Sequence, residues 1–325
     1  MKRIKLKFID TPPGVDLSKH YFCERLRHNF AIELCDAPDY IISLGYGYAY
    51  LDNKYDDCIK IYITAENDVP NFSLFDYALG HAPLSFGDRY LRHPIYAHWK
   101  GFSDLSSRRQ LANVRTLLNR DFCSIVVSNN ASSDPIRKLF FQKLSNYRPV
   151  ASGGRMWNNI GGPCSDKLTF ISKYKFNIAF ENSSALGYTT EKVMEAFAAN
   201  TVPIYFGNPL IYNDFNPNAM IVVTDISDID RAIAEVIHLD KDDSAYLQKC
   251  QAECFPANNT CDKYNNEYDA FMKNIFQQDK KHARRIAQFG REPSLRKELQ
   301  RFYASYDHDF LRKAKNIITR IIHRH

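Results

Sequence analysis

Residues 174–209 read YKFNIAFENSSALGYTTEKVMEAFAANTVPIYFGNP, and the pattern changes period twice. KFNIAF at 175–180 is a near-continuous apolar run, as expected for a strand buried on both faces. In the following VMEAFAAN, Val193, Phe197 and Ala198 share one helical face while Glu195 and Asn200 lie elsewhere. VPIYF at 202–206 then returns to strand. A strand, a helix and a strand in quick succession predict a parallel pair joined by a crossover helix. Between the first strand and the helix lie the polar residues of FENSSALGYTTEK, 180–192.

Ligands of open α/β sheets bind outside the carboxyl ends of strands, where helix N-termini present free N–H groups and partial positive charge. Thr189 or Thr190 is suited to cap the helix, which puts Lys192 in its first turn. A cation there opposes the helix dipole, a placement explained if both serve one anion such as a diphosphate. Gly187 frees the backbone for close approach, and Glu181, Asn182 and Glu191 offer groups for the hydroxyls of a ribose or sugar. No GxxxxGK[ST] phosphate loop and no GxSxG elbow occurs, so neither phosphoryl transfer nor serine hydrolysis is indicated.

Working outward, further strands are expected at 3–9, 40–45, 58–64, 123–128 and 220–223, and helices at 134–145, 190–200, 228–238 and 262–277. The alternation predicts an α/β protein with parallel sheets covered by helices on both faces, and the length fits two such sheets. The expected organisation is 1–120 as one domain, 121–278 as a second and 279–325 as a basic helical tail. The segment 151–165, containing ASGGRMWNNIGGPC, has four glycines and no periodicity, and reads as a mobile loop.

The net charge of +6 is concentrated in the tail. Residues 279–325 carry 13 Lys and Arg against 5 Asp and Glu, which leaves the preceding residues at −2. A charge argument for nucleic-acid binding therefore fails. Within the tail, Phe310, Leu311, Ala314, Ile317, Ile318 and Ile321 fall opposite Arg312, Lys313, Lys315 and Arg320. Such a helix either packs back on the protein or touches an anionic membrane face. The eight cysteines are scattered and suit reduced thiols, and the C-x3-C-x6-C spacing of Cys250, Cys254 and Cys261 lacks a nearby fourth zinc ligand. MKRIKLKFIDTPP has no apolar core of signal-peptide length, and no apolar run is long enough to span a membrane. The expected location is cytoplasmic, with a peripheral contact at the inner membrane face open to 279–325.

The 174–209 stretch resembles the donor-binding signature of the α-1,3-fucosyltransferases: FEN-S, a Gly-Tyr pair, TEK, an apolar helix and a V-P-I-Y-x-G strand, in order. AENDVPNFSLFDYALG (65–80), DRYLRHPIY (88–96) and SNNASSDPIRKLFFQKL (128–144) extend the resemblance over roughly 58–275. It implies a GT-B arrangement of two Rossmann-like domains facing a cleft, with the acceptor on the N-terminal domain and GDP-fucose on the C-terminal one. It further implies inverting transfer of fucose to O3 of N-acetylglucosamine or glucose in a glycan acceptor.

That reaction requires a base for the acceptor hydroxyl and a means of neutralising the departing GDP. Glu66, at the end of an expected strand, occupies the family's base position in an E-N-x-x-P-N element, and partial desolvation there would raise its basicity. Fixed cations are expected for the leaving group: Lys192, and Arg137 at the family's diphosphate-contacting position. Tyr188 matches a donor-contacting Tyr, and Arg155 is a weaker nucleotide contact. A metal is possible but not expected. The Asp228-Ile-Asp230 pair follows a strand, yet it also reads as an N-cap and first turn, so no metal ligand is assigned. DRYLRHP is expected to order the interdomain cleft or acceptor edge. The competing readings are another donor or linkage on the same fold, or a non-catalytic, basic-tailed binding protein.

Overall fold

The computed structural model describes residues 1–107, 111–128 and 133–305. The amphipathic spacing at 310–321 lies outside the described residues. Two all-parallel sheets carry the fold. The first comprises β1 (Arg3–Ile9), β2 (Ala31–Leu34), β3 (Tyr40–Ser43), β4 (Ile59–Ile63), β5 (Tyr77–Gly80) and β6 (Tyr90–Arg92), in the order β2-β1-β3-β4-β5-β6. The second comprises β7 (Asp121–Ile125), β8 (Val150–Ser152), β9 (Tyr174–Phe180), β10 (Val202–Phe206) and β11 (Ile221–Val222), in the order β11-β10-β9-β7-β8. Each order reverses direction once, between β1 and β3 and between β7 and β9. Those reversals open the crevices in which doubly wound sheets hold ligands.

The predicted crossover is present. β9 pairs with β10 in parallel, Ile178 opposite Ile204, and the helix Glu191–Ala198 joins them. Val193, Met194, Ala196 and Phe197 are buried, as the apolar spacing requires. Ile204 also stands opposite Ile221, so the centre of this sheet is a layer of β-branched side chains.

The division at residue 120 falls at the start of β7, but the cores do not separate there. Tyr268, Met272, Ile275 and Phe276, on the helix Cys261–Gln277, pack into the core of the first sheet with Ile4, Leu6, Phe22 and Ile61. Conversely, Tyr96, Phe102 and Leu105, which follow β6, share a core with Val193, Phe197 and Tyr205 of the second. The assignment of 262–277 to the second domain is thus corrected: its apolar face covers the first sheet. The Gly-rich segment is likewise not a free loop. Asn158 Nδ2 donates to the carbonyls of Ser152, Gly154 and Gly162 at 2.8–3.2 Å, and Asn159 bridges Ser152 and Val150.

The near side of the tail packs against the first sheet through opposite charges. Lys280 pairs with Asp39 at 3.1 Å, Arg285 with Asp88 at 2.5 Å, and Arg296 with Asp56. All eight cysteines are free thiols. Among the described residues, no helix is long and apolar enough to cross a membrane.

Between the sheets, Arg92 Nη1 and Nη2 donate to the two oxygens of Asp214 at 3.0 and 2.5 Å. This paired fork gives DRYLRHP its part in ordering the cleft. His81 and His93 of the same region are buried, and desolvation lowers their pKa values to about 4 and about 3 from an ordinary 6.5. For His81, the nearby Arg92 charge adds to the effect. Between those values and 6.5 the unfolded chain binds more protons than the folded one, so stability falls as pH drops through that window. Urea unfolding should show full stability above pH 6.5 and a progressive loss toward pH 4. His93→Phe should flatten the slope; an unchanged slope would remove His93 from this role.

Candidate active site

The second crevice lies where the carboxyl ends of β7 and β9 part. Ile125–Val127, Asn177–Phe180, Arg137, Lys167, Lys192 and Glu195 line one cavity there. Arg137 sits in the first turn of the helix Ile136–Ser145, which follows β7. Its Nη1 donates to Ser133 Oγ at 2.7 Å and to Asn182 Oδ1 at 2.8 Å. Its Nε is buried and has no hydrogen-bond partner among the described residues. A desolvated guanidinium with an unpartnered N–H is suited to pair with an anion.

Glu181 organises the other wall. Its carboxylate has no exposed surface. It accepts from the Thr190 backbone N–H at 2.7 Å, from the Thr190 hydroxyl at 2.7 Å and from Lys192 Nζ at 2.9 Å. Gly207, at φ +152°, leaves the room it needs, since a Cβ there would lie 2.5 Å from Glu181 Cγ. The expectation that Glu181 meets a ligand hydroxyl is therefore corrected: it is spent on a helix N-terminus and on Lys192. Thr190 is the N-cap residue, but its hydroxyl donates to Glu181 instead of capping the helix itself. Burial works against the Lys192 charge, yet Glu181 and Glu191 more than offset it and hold its pKa above the ordinary value. Burial would likewise raise the Glu191 pKa, but Lys192 and Lys167 keep it lowered. Glu191 Oε1 stands 3.6 Å from Lys192 Nζ.

Gly187 serves a different approach from the one expected. At φ +82° its missing Cβ would fall 2.1 Å from the His81 carbonyl, so what comes close is the backbone of the other sheet. Its N–H donates to Asn208 Oδ1 at 2.7 Å. Tyr188 is 2% exposed and packs its ring edge-on to His81, centroids 5.0 Å apart. Tyr188 thus belongs to the seam between the sheets, with its phenol buried. Arg155 is exposed on the pinned Gly-rich segment and does not line the cavity.

Glu66 follows β4, across the cleft. It is exposed, so the desolvation expected of it is not observed. Tyr46 donates its hydroxyl to Glu66 Oε1 at 3.2 Å, and the Glu66 backbone exchanges hydrogen bonds with Thr64 Oγ1 at 3.1 and 3.2 Å. The next residue, Asn67, donates to Ser183 Oγ at 2.8 Å. The loop carrying Glu66 therefore touches FENSS itself. The Asp228-Ile-Asp230 pair is engaged elsewhere. Asp228 accepts from Arg231 and from the Thr224 N–H, and Asp230 pairs with Lys143 at 2.8 Å. Asp228 is the N-cap residue of the helix Ile229–Lys241 and Asp230 lies in its first turn, as expected, although the Asp228 side chain makes no capping bond. Among the described residues, no group of three or more His, Cys, Asp or Glu is placed to hold a metal ion.

Sequence reasoning missed Tyr46, Lys167 and Asn208. Tyr46 lies between Gly45 and Gly47 in an aromatic loop, a turn signal that could have been followed. Lys167 pairs with Glu195 from a separate short helix, and nothing in its local sequence marks it.

Two doubly wound parallel sheets facing a cleft define the GT-B class of fold. Residues 6–99 match the model of the Alpha-(1,3)-fucosyltransferase FucT N-terminal domain, and residues 118–254 match that of Glycosyltransferase family 10 (fucosyltransferase) C-term. Over 225 residues the chain is 36% identical to Alpha-(1,3)-fucosyltransferase FucT of Helicobacter pylori, covering 60% of this chain and 47% of that protein. A crystal structure of an α1,3-fucosyltransferase with GDP superposes with a TM-score of 0.72 at 28% identity, over 86% of this chain and 91% of that one. One with GDP-fucose superposes at 0.71, with 27% identity over 86% and 92%. The chain belongs to the α-1,3-fucosyltransferase family. It spans less than half the length of the curated relatives it matches.

Glu181→Gln would leave Lys192 without its buried counter-ion at a helix N-terminus. It should cost about 3 kcal/mol in urea unfolding, the range for breaking a buried pair. Full stability in that variant would show that the pair is dispensable.

Proposed function

We propose that this protein transfers L-fucose from GDP-β-L-fucose to O3 of N-acetylglucosamine or glucose in a glycan acceptor, with inversion at the sugar. The observation that carries this reading is the convergence of Arg137 and Lys192 on one crevice, with the Glu66 loop hydrogen-bonded to FENSS across the cleft. Glu66 takes the proton of the acceptor hydroxyl. The freed oxygen bonds to C1 of fucose from the face opposite the diphosphate, and the C1–oxygen bond to the β-phosphate breaks with its electron pair leaving on GDP. Lys192 and Arg137 neutralise that charge with positions set in advance, Lys192 by Glu181 and Arg137 by Ser133 and Asn182. Glu191 and Asn182 face the nucleotide or fucose hydroxyls, while Tyr188 supports the donor wall from within. The reaction needs no metal in this scheme, because fixed cations do the neutralising. A peripheral membrane contact through 279–325 belongs to the same reading and is open to test by sedimentation with anionic vesicles.

Incubation with GDP-fucose and a panel of Gal-GlcNAc and lactose acceptors, with and without EDTA, followed by linkage analysis, tests the activity. Transfer insensitive to EDTA is expected; transfer only from another nucleotide sugar would replace the donor in this scheme. Glu66→Gln should abolish transfer and leave GDP binding intact, and transfer at the wild-type rate would remove Glu66 as the base. Lys192→Ala and Arg137→Ala should each weaken GDP binding in calorimetry by about 2 kcal/mol, the scale of a charge-assisted hydrogen bond. Unchanged affinity would contradict their assignment.

A further inference from the structure

The described end of the chain reaches the loop that holds Glu66. Residues 291–305 are helical, and Leu299 and Tyr303 pack on the buried cluster that includes Ile9, Ile41, Tyr50 and Leu51. Gln300 Nε2 donates to the Leu51 carbonyl and, at 3.0 Å, to Asn53 Oδ1. The Tyr303 ring lies face to face with Tyr48, centroids 3.5 Å apart and planes at 20°. Tyr48 is two residues from Tyr46, the donor to Glu66.

The same loop is gripped from its other side by Asp10. Its carboxylate accepts from the N–H groups of Ala49 and Tyr50 at 2.7 and 3.3 Å, and its carbonyl accepts from the Tyr46 N–H at 2.9 Å. Asp10 does this from φ +50°, a conformation costly for a residue with a Cβ and kept only where the surroundings enforce it. Residues 46–53 are therefore held between the end of β1 and the helix at 291–305. Tyr46 and Tyr48 are 46% and 43% exposed, and Glu66 is exposed as well. An exposed carboxylate samples several rotamers unless a neighbour fixes it. Here the neighbour is Tyr46, and the position of Tyr46 depends on the loop.

We propose that the helix 291–305 positions the base: Tyr303, stacked on Tyr48, sets the loop from which Tyr46 orients the Glu66 carboxylate. This inference rests on Glu66 being the base of the transfer. Tyr303 is a positioning residue and touches no reacting atom. The Arg137–Lys192 crevice belongs to the other sheet, so loss of the stack acts on turnover and leaves nucleotide affinity alone.

The test is full-chain kinetics paired with GDP calorimetry. Tyr303→Ala is expected to lower kcat about tenfold, as misplacement of a reacting group does, with the Kd for GDP within about twofold of wild type. Tyr303→Phe keeps the stack and should restore kcat. In a Tyr46→Phe background, Tyr303→Ala should add no further loss, because both act through one contact. Wild-type kcat in Tyr303→Ala, or a full additional loss in the double variant, would overturn the proposal. If Tyr303→Ala binds no GDP because it fails to fold, Gln300→Ala removes only two hydrogen bonds and carries the same test: lowered kcat supports the proposal and wild-type kcat sinks it. Glu66→Gln run alongside separates the two readings. If it transfers fucose normally, both fall; if it is inactive while Tyr303→Ala is normal, only the positioning role falls.

Discussion

Glu181 is a carboxylate with no exposed surface, and the candidate donor site is arranged around the need to satisfy it. An unpaired buried charge is costly, so the chain answers it with one backbone N–H, one hydroxyl and one ammonium. Each answer has a structural effect. The Thr190 N–H fixes where the helix Glu191–Ala198 begins, the hydroxyl fixes the Thr190 rotamer, and the ammonium fixes Lys192 at the crevice. Gly207, at the end of β10, is required because any side chain there would occupy the volume of Glu181. FEN, TEK and the YFGN at the end of β10 are thus one device, although they are separated along the chain.

The same economy holds at the seam between the sheets. Gly187 lets the donor loop rest directly on the His81 carbonyl, and Tyr188 covers the His81 ring. Arg92 and Asp214 fasten the seam a short way off with two parallel hydrogen bonds. Asn67 and Ser183 join it at the solvent edge. The separation between Glu66 and the Arg137–Lys192 crevice is therefore set by contacts within the chain. Preorganisation of this kind spares the reaction the cost of assembling its charges during turnover.

Much of this was legible in the residues and some of it could not be. β1 and β10 have the expected bounds of 3–9 and 202–206, because long apolar runs announce buried strands. The short strands β2, β5, β6 and β8 escaped notice, since three or four residues, some charged like Glu33 and Arg92, carry no period. Arg137 and Lys192 were expected to share a ligand, and they do line one cavity. The partners that Glu181, Gly187 and Tyr188 find within the chain escaped the sequence for a common reason. Each is decided by burial against a partner far away in sequence, such as His81 for Gly187, and local pattern does not report burial. The helix Cys261–Gln277 was recognised as a helix, but its apolar face does not say which sheet it will cover.

That helix also bears on how the protein is made. Tyr268, Met272, Ile275 and Phe276 close the face of the first sheet formed by Ile4, Leu6, Tyr40 and Ile61, yet they are synthesised after the whole second sheet. During translation the N-terminal sheet must therefore wait with an apolar face uncovered while residues 121–222 emerge. One core of the second sheet draws on residues 117–250, but the core on its other face includes Tyr264 of this same helix. Domains commonly fold from the N-terminus as they leave the ribosome. Here both sheets take core residues from the helix Cys261–Gln277, so neither core is complete until that helix has emerged.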